Sequence, residues 1–188
     1  MTETQYIEAI GPDDTGLRAT LAWSGDRVIH HVDWVAGRQS FRLLESVEGD
    51  DQQEWPPSPA LQQLTIEPRS ARRQVALLVG MAGQSHWSVS IENEPSERRL
   101  TFDVACRIAE PSDQLGSQYR TPAQVNISSP DQGAELTVAG RRCQLVLEST
   151  GRGESDLLEF NKGLLRIVAT QQLTTYPDTL RWKYSLLG

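Results

Sequence analysis

The chain has 188 residues, 38% of them hydrophobic and 23% charged, which is an ordinary composition for a folded protein and leaves room for one substantial core. Its formal charge of −7 disfavours partners that reward a basic surface, so neither nucleic acid nor an anionic membrane is an expected partner. The opening MTETQYIEAIGPDD lacks the basic and apolar regions of a secretory leader, and the longest apolar run, VALLVGMAG, falls short of the roughly 20 residues that span a bilayer. A soluble cytoplasmic protein is the expectation.

In chain order, strands are predicted first near Gln5–Ile10 and then in LRATLAWSGDRVIHHVDWV, a hairpin closed by Gly25-Asp26. Glycine at the first loop position suits a type II′ turn. The register that follows sets Ser24 opposite Arg27, Trp23 opposite Val28 and Arg18 opposite Asp33. One face then carries Leu17, Ala19, Leu21 and Trp23 against Val28, His30, Val32 and Trp34. A strand near Ser40–Val47 is followed by an irregular segment, Gly49–Ala60, that contains Trp55 and the spacing Pro56-x-x-Pro59. Residues Pro59–Leu64 are the best place for a helix, and at most a short one. Strands follow near Leu64–Glu67 and Gln74–Met81. The second is an unbroken apolar run, which predicts a central strand covered on both faces.

The stretch GQSHWSVSIENEPSERRLTFDVACRI alternates most regularly. Trp87, Val89 and Ile91 share one face, and Leu100, Phe102, Val104, Cys106 and Ile108 match them after a turn at Pro95-Ser96. A tight turn there pairs Glu92 with Arg99 and Ser88 with Asp103. A slide by two residues in one direction would oppose Glu92 to Glu97, which is unfavourable. The slide in the other direction has no such penalty. After a long segment, 110–133, hairpins are predicted at Ala139-Gly140 and at Asn161-Lys162-Gly163, the latter as a type I turn with left-handed glycine. The closing TLRWKYSLL puts Leu180, Trp182, Tyr184 and Leu186 on one side. The sum is an all-β, mainly antiparallel sandwich or barrel with at most one or two short helices. It reads as one domain over residues 1–188, with 110–133 as the only place for a subdivision.

Chemistry is sparse. Ser85 and His86 are neighbours on a strand, so their side chains leave opposite faces and cannot act as a nucleophile–base pair. His86 and Ser88 share a face but sit about 6.5–7 Å apart along the strand. His31 and Asp33 point the same way and, with His86, form the candidate metal set; Arg18 is the expected partner that would instead hold Asp33. His30 belongs to the apolar face, where a hydrogen-bonded core histidine is expected. The polar face of the 86–107 hairpin carries His86, Ser88, Ser90, Asp103 and Arg107, a strip able to line a groove for a carbohydrate or other small molecule, with Trp55 as a stacking ring. In the long segment, Asp113, Gln118, Tyr119 and Arg120 are the candidates for a closing loop. Cys106 and Cys143 are far apart and fit buried thiols in a reducing compartment. No phosphate cradle, serine-nucleophile elbow or zinc signature is present.

These readings converge on a non-catalytic binding or self-assembly module that needs no cofactor, with a homo-oligomer as the form self-assembly would take. The alternatives are a metal-dependent enzyme or hydrolase around His31, Asp33 and His86, and carbohydrate or small-molecule binding on the 86–107 hairpin.

Overall fold

The structure, a computed structural model, describes residues 4–50, 52–112, 115–128, 133–150, 156–171 and 173–188. Two hairpins open it: β1 (Gln5–Ile10), β2 (Thr15–Ser24), β3 (Arg27–Ala36) and β4 (Gln39–Ser46) run as an antiparallel meander. A second meander follows, β5 (Gln63–Pro68), β6 (Gln74–Ala82), β7 (Ser85–Glu94) and β8 (Arg99–Ile108). The rest of the chain alternates between the two sheets these meanders found. It contributes β9 (Gly116–Arg120), β10 (Asn126–Ser128), β11 (Gly133–Val138), β12 (Arg141–Glu148), β13 (Leu157–Asn161), β14 (Leu164–Val168) and β15 (Asp178–Leu187).

The smaller sheet has the order β1-β2-β3-β4-β9-β14-β13, and the larger β10-β11-β12-β15-β8-β7-β6-β5. The all-β, antiparallel, two-sheet architecture is therefore as the alternation predicts. Among the described residues the one helical element is a 3-10 turn at Pro95–Glu97, and the short helix expected at 59–64 does not form. The segment 110–133 is partly outside the described residues, Asp113 among them, but it is no mere linker. It supplies β9, paired between β4 and β14, and β10 at an edge of the larger sheet. No helix of the described residues is long and apolar enough to cross a membrane.

One continuous core lies between the sheets. Ile7, Leu17, Leu21 and Val32 from the smaller sheet meet Trp87, Ile91, Phe102, Trp182 and Leu186 from the larger, all at or near zero exposure. The β2–β3 hairpin keeps the predicted register, Ser24 with Arg27 through Arg18 with Asp33. Gly25 has φ 63° while Asp26 is not left-handed, as a type II′ turn requires. A bulge at Val32/Asp33 lets both Leu43 and Leu44 of β4 reach the core.

Three local expectations are corrected. The β7–β8 hairpin pairs Ser90 with Asp103 and Glu94 with Arg99, two residues from the predicted register. The cause is the wider connection: Pro95–Glu97 makes a 3-10 turn that Arg98 closes in the left-handed conformation, φ 47°. A slide by two preserves which residues face the core. At the β13–β14 turn both Lys162 (φ 47°) and Gly163 (φ 80°) are left-handed, so two residues close it in the type I′ manner. Strand β6 is not covered on both faces. Ala76 and Leu78 face the core, whereas Leu77, Val79 and Met81 are 37%, 45% and 49% exposed on the outer surface.

Candidate functional site

The uncovered face of β6 is one wall of a groove on the outer side of the larger sheet. Strand alternation sends Trp87 inward, 2% exposed, and His86 and Ser88 outward. The register then builds two parallel rows across four strands. One is Thr179, Arg107, His86 and Met81; the other continues Ala105, Ser88, Val79 and Gln63. Gln62 extends the second wall by substituting a side chain for backbone: its Oε1 accepts from the Met81 N–H at 2.6 Å and its Nε2 donates to the Met81 carbonyl at 2.9 Å. These residues, with Gly80 and Trp87 beneath, line an open groove of about 640 Å³. That volume is in the range of roughly 300–1,000 Å³ typical of small-molecule sites.

Charge is distributed unevenly on this face. Asp103 accepts two hydrogen bonds from the Arg181 guanidinium, Lys183 Nζ is 2.9 Å from Glu148, and Arg99 is 2.8 Å from Glu97. Among the described residues Arg107, exposed on β8 beside His86, has no ion pair. Of the residues singled out from sequence, His86, Ser88 and Arg107 line the groove, and Ser90 and Asp103 occupy the next row of the same face. Trp55 does not join them; it is half-buried and packs against the core. Alternation alone could place the polar wall. The apolar wall was hidden, because a run such as VALLV looks the same whether one face or both are covered.

His31 and Asp33 do come together, on the outer face of the smaller sheet, with His31 Nε2 3.4 Å from Asp33 Oδ2. His86 is on the other sheet, facing away from it, so the three do not form one site. Asp33 also has a different partner from the one expected. Arg42 of β4 donates to it at 2.6 Å, while Arg18 turns to Glu8 of β1, also at 2.6 Å. The four residues sit side by side as Glu8, Arg18, Asp33 and Arg42, alternating in sign; Arg18 lies between two carboxylates, and Arg42 also comes within 3.5 Å of Glu45. Burial pushes the Asp33 carboxyl up, but hydrogen bonds from His31 and Arg42 outweigh it and hold it below its ordinary value. Among the described residues no three His, Cys, Asp or Glu side chains are grouped to hold a metal ion.

A further set of buried polar groups forms a chain across the core. His30 Nε2 is 2.8 Å from the Tyr119 hydroxyl, which in turn bonds the Tyr184 hydroxyl of the opposite sheet. Phe102 stacks on Tyr184 with ring centroids 5.0 Å apart, and Trp182 Nε1 donates to Ser117 at 3.0 Å. The His30 backbone N–H donates to Ser46 Oγ, which donates to the half-buried Glu48 at 2.5 Å. Burial lowers His30 from 6.5 to about 4 and raises both tyrosines, so the imidazole and both phenols are neutral at pH 7. His30 is thus the hydrogen-bonded core histidine its apolar phase suggests. Tyr119, anticipated on a closing loop, is instead a core residue of β9, whereas Gln118 and Arg120 flank it on the same strand. Cys106 and Cys143 are free and buried, and burial pushes both thiols up to about 12, which makes them poor nucleophiles.

The fold and groove define a two-sheet antiparallel β protein with an open cleft on one sheet. The chain matches no family model and no curated protein.

Proposed function

We propose that the chain is a non-catalytic binding module whose ligand is a small molecule held in the groove on the outer face of the larger sheet. The observation that supports this reading is the groove itself: about 640 Å³, walled by Val79 and Met81 on one side and by His86, Ser88 and Arg107 on the other. It combines apolar area with a few polar groups, the usual make-up of a ligand site. A hydrolytic role needs a nucleophile and base within hydrogen-bond reach, or a metal cluster. Ser85 is buried behind the sheet from His86, and His86 is parted from His31 and Asp33 by the sandwich.

A thermal-shift screen over glycans, organic acids, amines and apolar metabolites tests the proposal, since a ligand that binds only the native state raises its midpoint. Ala105→Trp fills the groove from its floor without touching the core. Hits that keep their shift in this variant, or a complete lack of hits, count against the groove as the binding surface.

A further inference from the structure

We propose that the ligand is a monocarboxylate with an apolar tail, its head group on Arg107 and its chain along Met81, Val79 and Leu77. This rests on the groove being the binding surface and adds the chemistry of its occupant.

The head-group assignment follows from charge. Arg99, Arg181 and Lys183, on the strands that flank and form the groove floor, each have an acidic partner; Arg107 has none among the described residues. A guanidinium presents two parallel N–H donors that match a carboxylate. Thr179 and His86, its two cross-strand neighbours, add polar atoms on either side. Among the described residues lining the groove, Arg107 is the one permanent cation, and it balances one negative charge. A phosphate monoester brings between about one and a half and two at pH 7. The protein's own charge of −7 repels anions generally, so retention at this point requires the local pairing together with apolar contact.

The tail assignment follows from the register. Arg107 and Met81 occupy one row with a single strand between them, about 10 Å apart at normal strand spacing. From Met81 the exposed apolar positions continue along β6 through Val79 to Leu77, about 13 Å of strand. His86 stands between Arg107 and Met81, while in the adjacent row the small Ala105 and Ser88 keep the floor beside Val79 low. A chain bound there covers side chains that are 37–49% exposed.

Decanoate below its micellar concentration is the probe, with decanol and acetate as controls, followed by two-dimensional NMR of the labelled full chain. Decanoate should shift the amide signals of His86, Ala105 and Thr179. Arg107→Gln should weaken it about tenfold or more, the order of one charge-assisted pair. Val79→Glu, a change at an exposed side chain, should also weaken it, while acetate should bind neither protein measurably. If decanol binds as tightly as decanoate, or Arg107→Gln leaves decanoate unaffected, the carboxylate assignment fails although the groove stands. If sedimentation gives a dimer that Val79→Glu dissociates, a second copy covers the apolar wall and the tail assignment fails. If no compound moves the groove signals, the groove reading itself is refuted.

Discussion

Acid should destabilise this protein through His30, and the size of the effect follows from its position. The ring is buried between the sheets, bonded at Nε2 to Tyr119 and tilted against Phe102, with centroids 5.8 Å apart. The acid nearest in its hydrogen-bond chain, Glu48, is reached only through Ser46, and burial raises that carboxyl above its ordinary value. A proton on His30 would therefore be a buried charge with no adjacent counter-ion. Its pKa is near 6.5 in the unfolded chain and about 4 in the folded one. Between those values the unfolded state binds more protons, so stability falls as pH falls. The penalty is nil above pH 7 and complete below pH 4, and at 1.36 kcal/mol per unit it amounts to about 3 kcal/mol.

Other groups titrate in the same window with the opposite sign. Burial raises Asp156 to about 6, so protonating it as pH falls stabilises the fold. The assay is accordingly a difference: urea unfolding of the parent and of His30→Gln from pH 8 to pH 4. Glutamine can still bond Tyr119 and cannot be charged. The variant should lose stability by a constant amount down to about pH 7, and the gap should then close by about 3 kcal/mol toward pH 4. A gap independent of pH would refute the assignment of His30 as a neutral buried ring.

Further outcomes test the other contacts. Asn93 ties the sheets together: its Nδ2 donates to the Glu8 carbonyl at 2.5 Å and the Arg72 carbonyl at 3.0 Å, and its Oδ1 accepts from the Gln74 N–H at 2.6 Å. Asn93→Ala should cost about 3 kcal/mol in urea unfolding, because it strands several backbone groups at once. Asp33→Asn should cost about 1–2 kcal/mol at pH 7. Because the carboxyl is held below its ordinary 3.8, that cost should persist at pH 5 and disappear only as pH falls through the lowered folded value. Trp55→Ala should lower stability by about 2 kcal/mol, as befits a half-buried ring on the core, and leave groove ligands bound as before. Cys106 and Cys143 should resist thiol reagents in the native protein and react once urea unfolds it, a contrast that absorbance titration detects.

The sheet class, most strand limits and the inward faces were legible along the chain, because pleating alternates side chains regardless of which strand lies next door. That is why Leu180, Trp182, Tyr184 and Leu186 could be assigned to the core, and why Ser85 could be parted from His86. Local turn chemistry also carried the β2–β3 register, since a two-residue loop leaves little freedom. The β7–β8 register was less determined: four residues connect those strands, and a slide by two keeps every face as it was.

Tertiary structure alone decided everything that depends on a strand's neighbours. Arg18 lies opposite two acids and Asp33 opposite two arginines, and no local pattern says which pairs form. β9 pairs with β4 and β14, strands far from it in sequence, and so brings Tyr119 against His30 and Tyr184. The groove arises in the same way. Its residues come from β5, β6, β7, β8 and β15, and its apolar wall exists because no layer covers the outer side of β6, a property of packing rather than of composition.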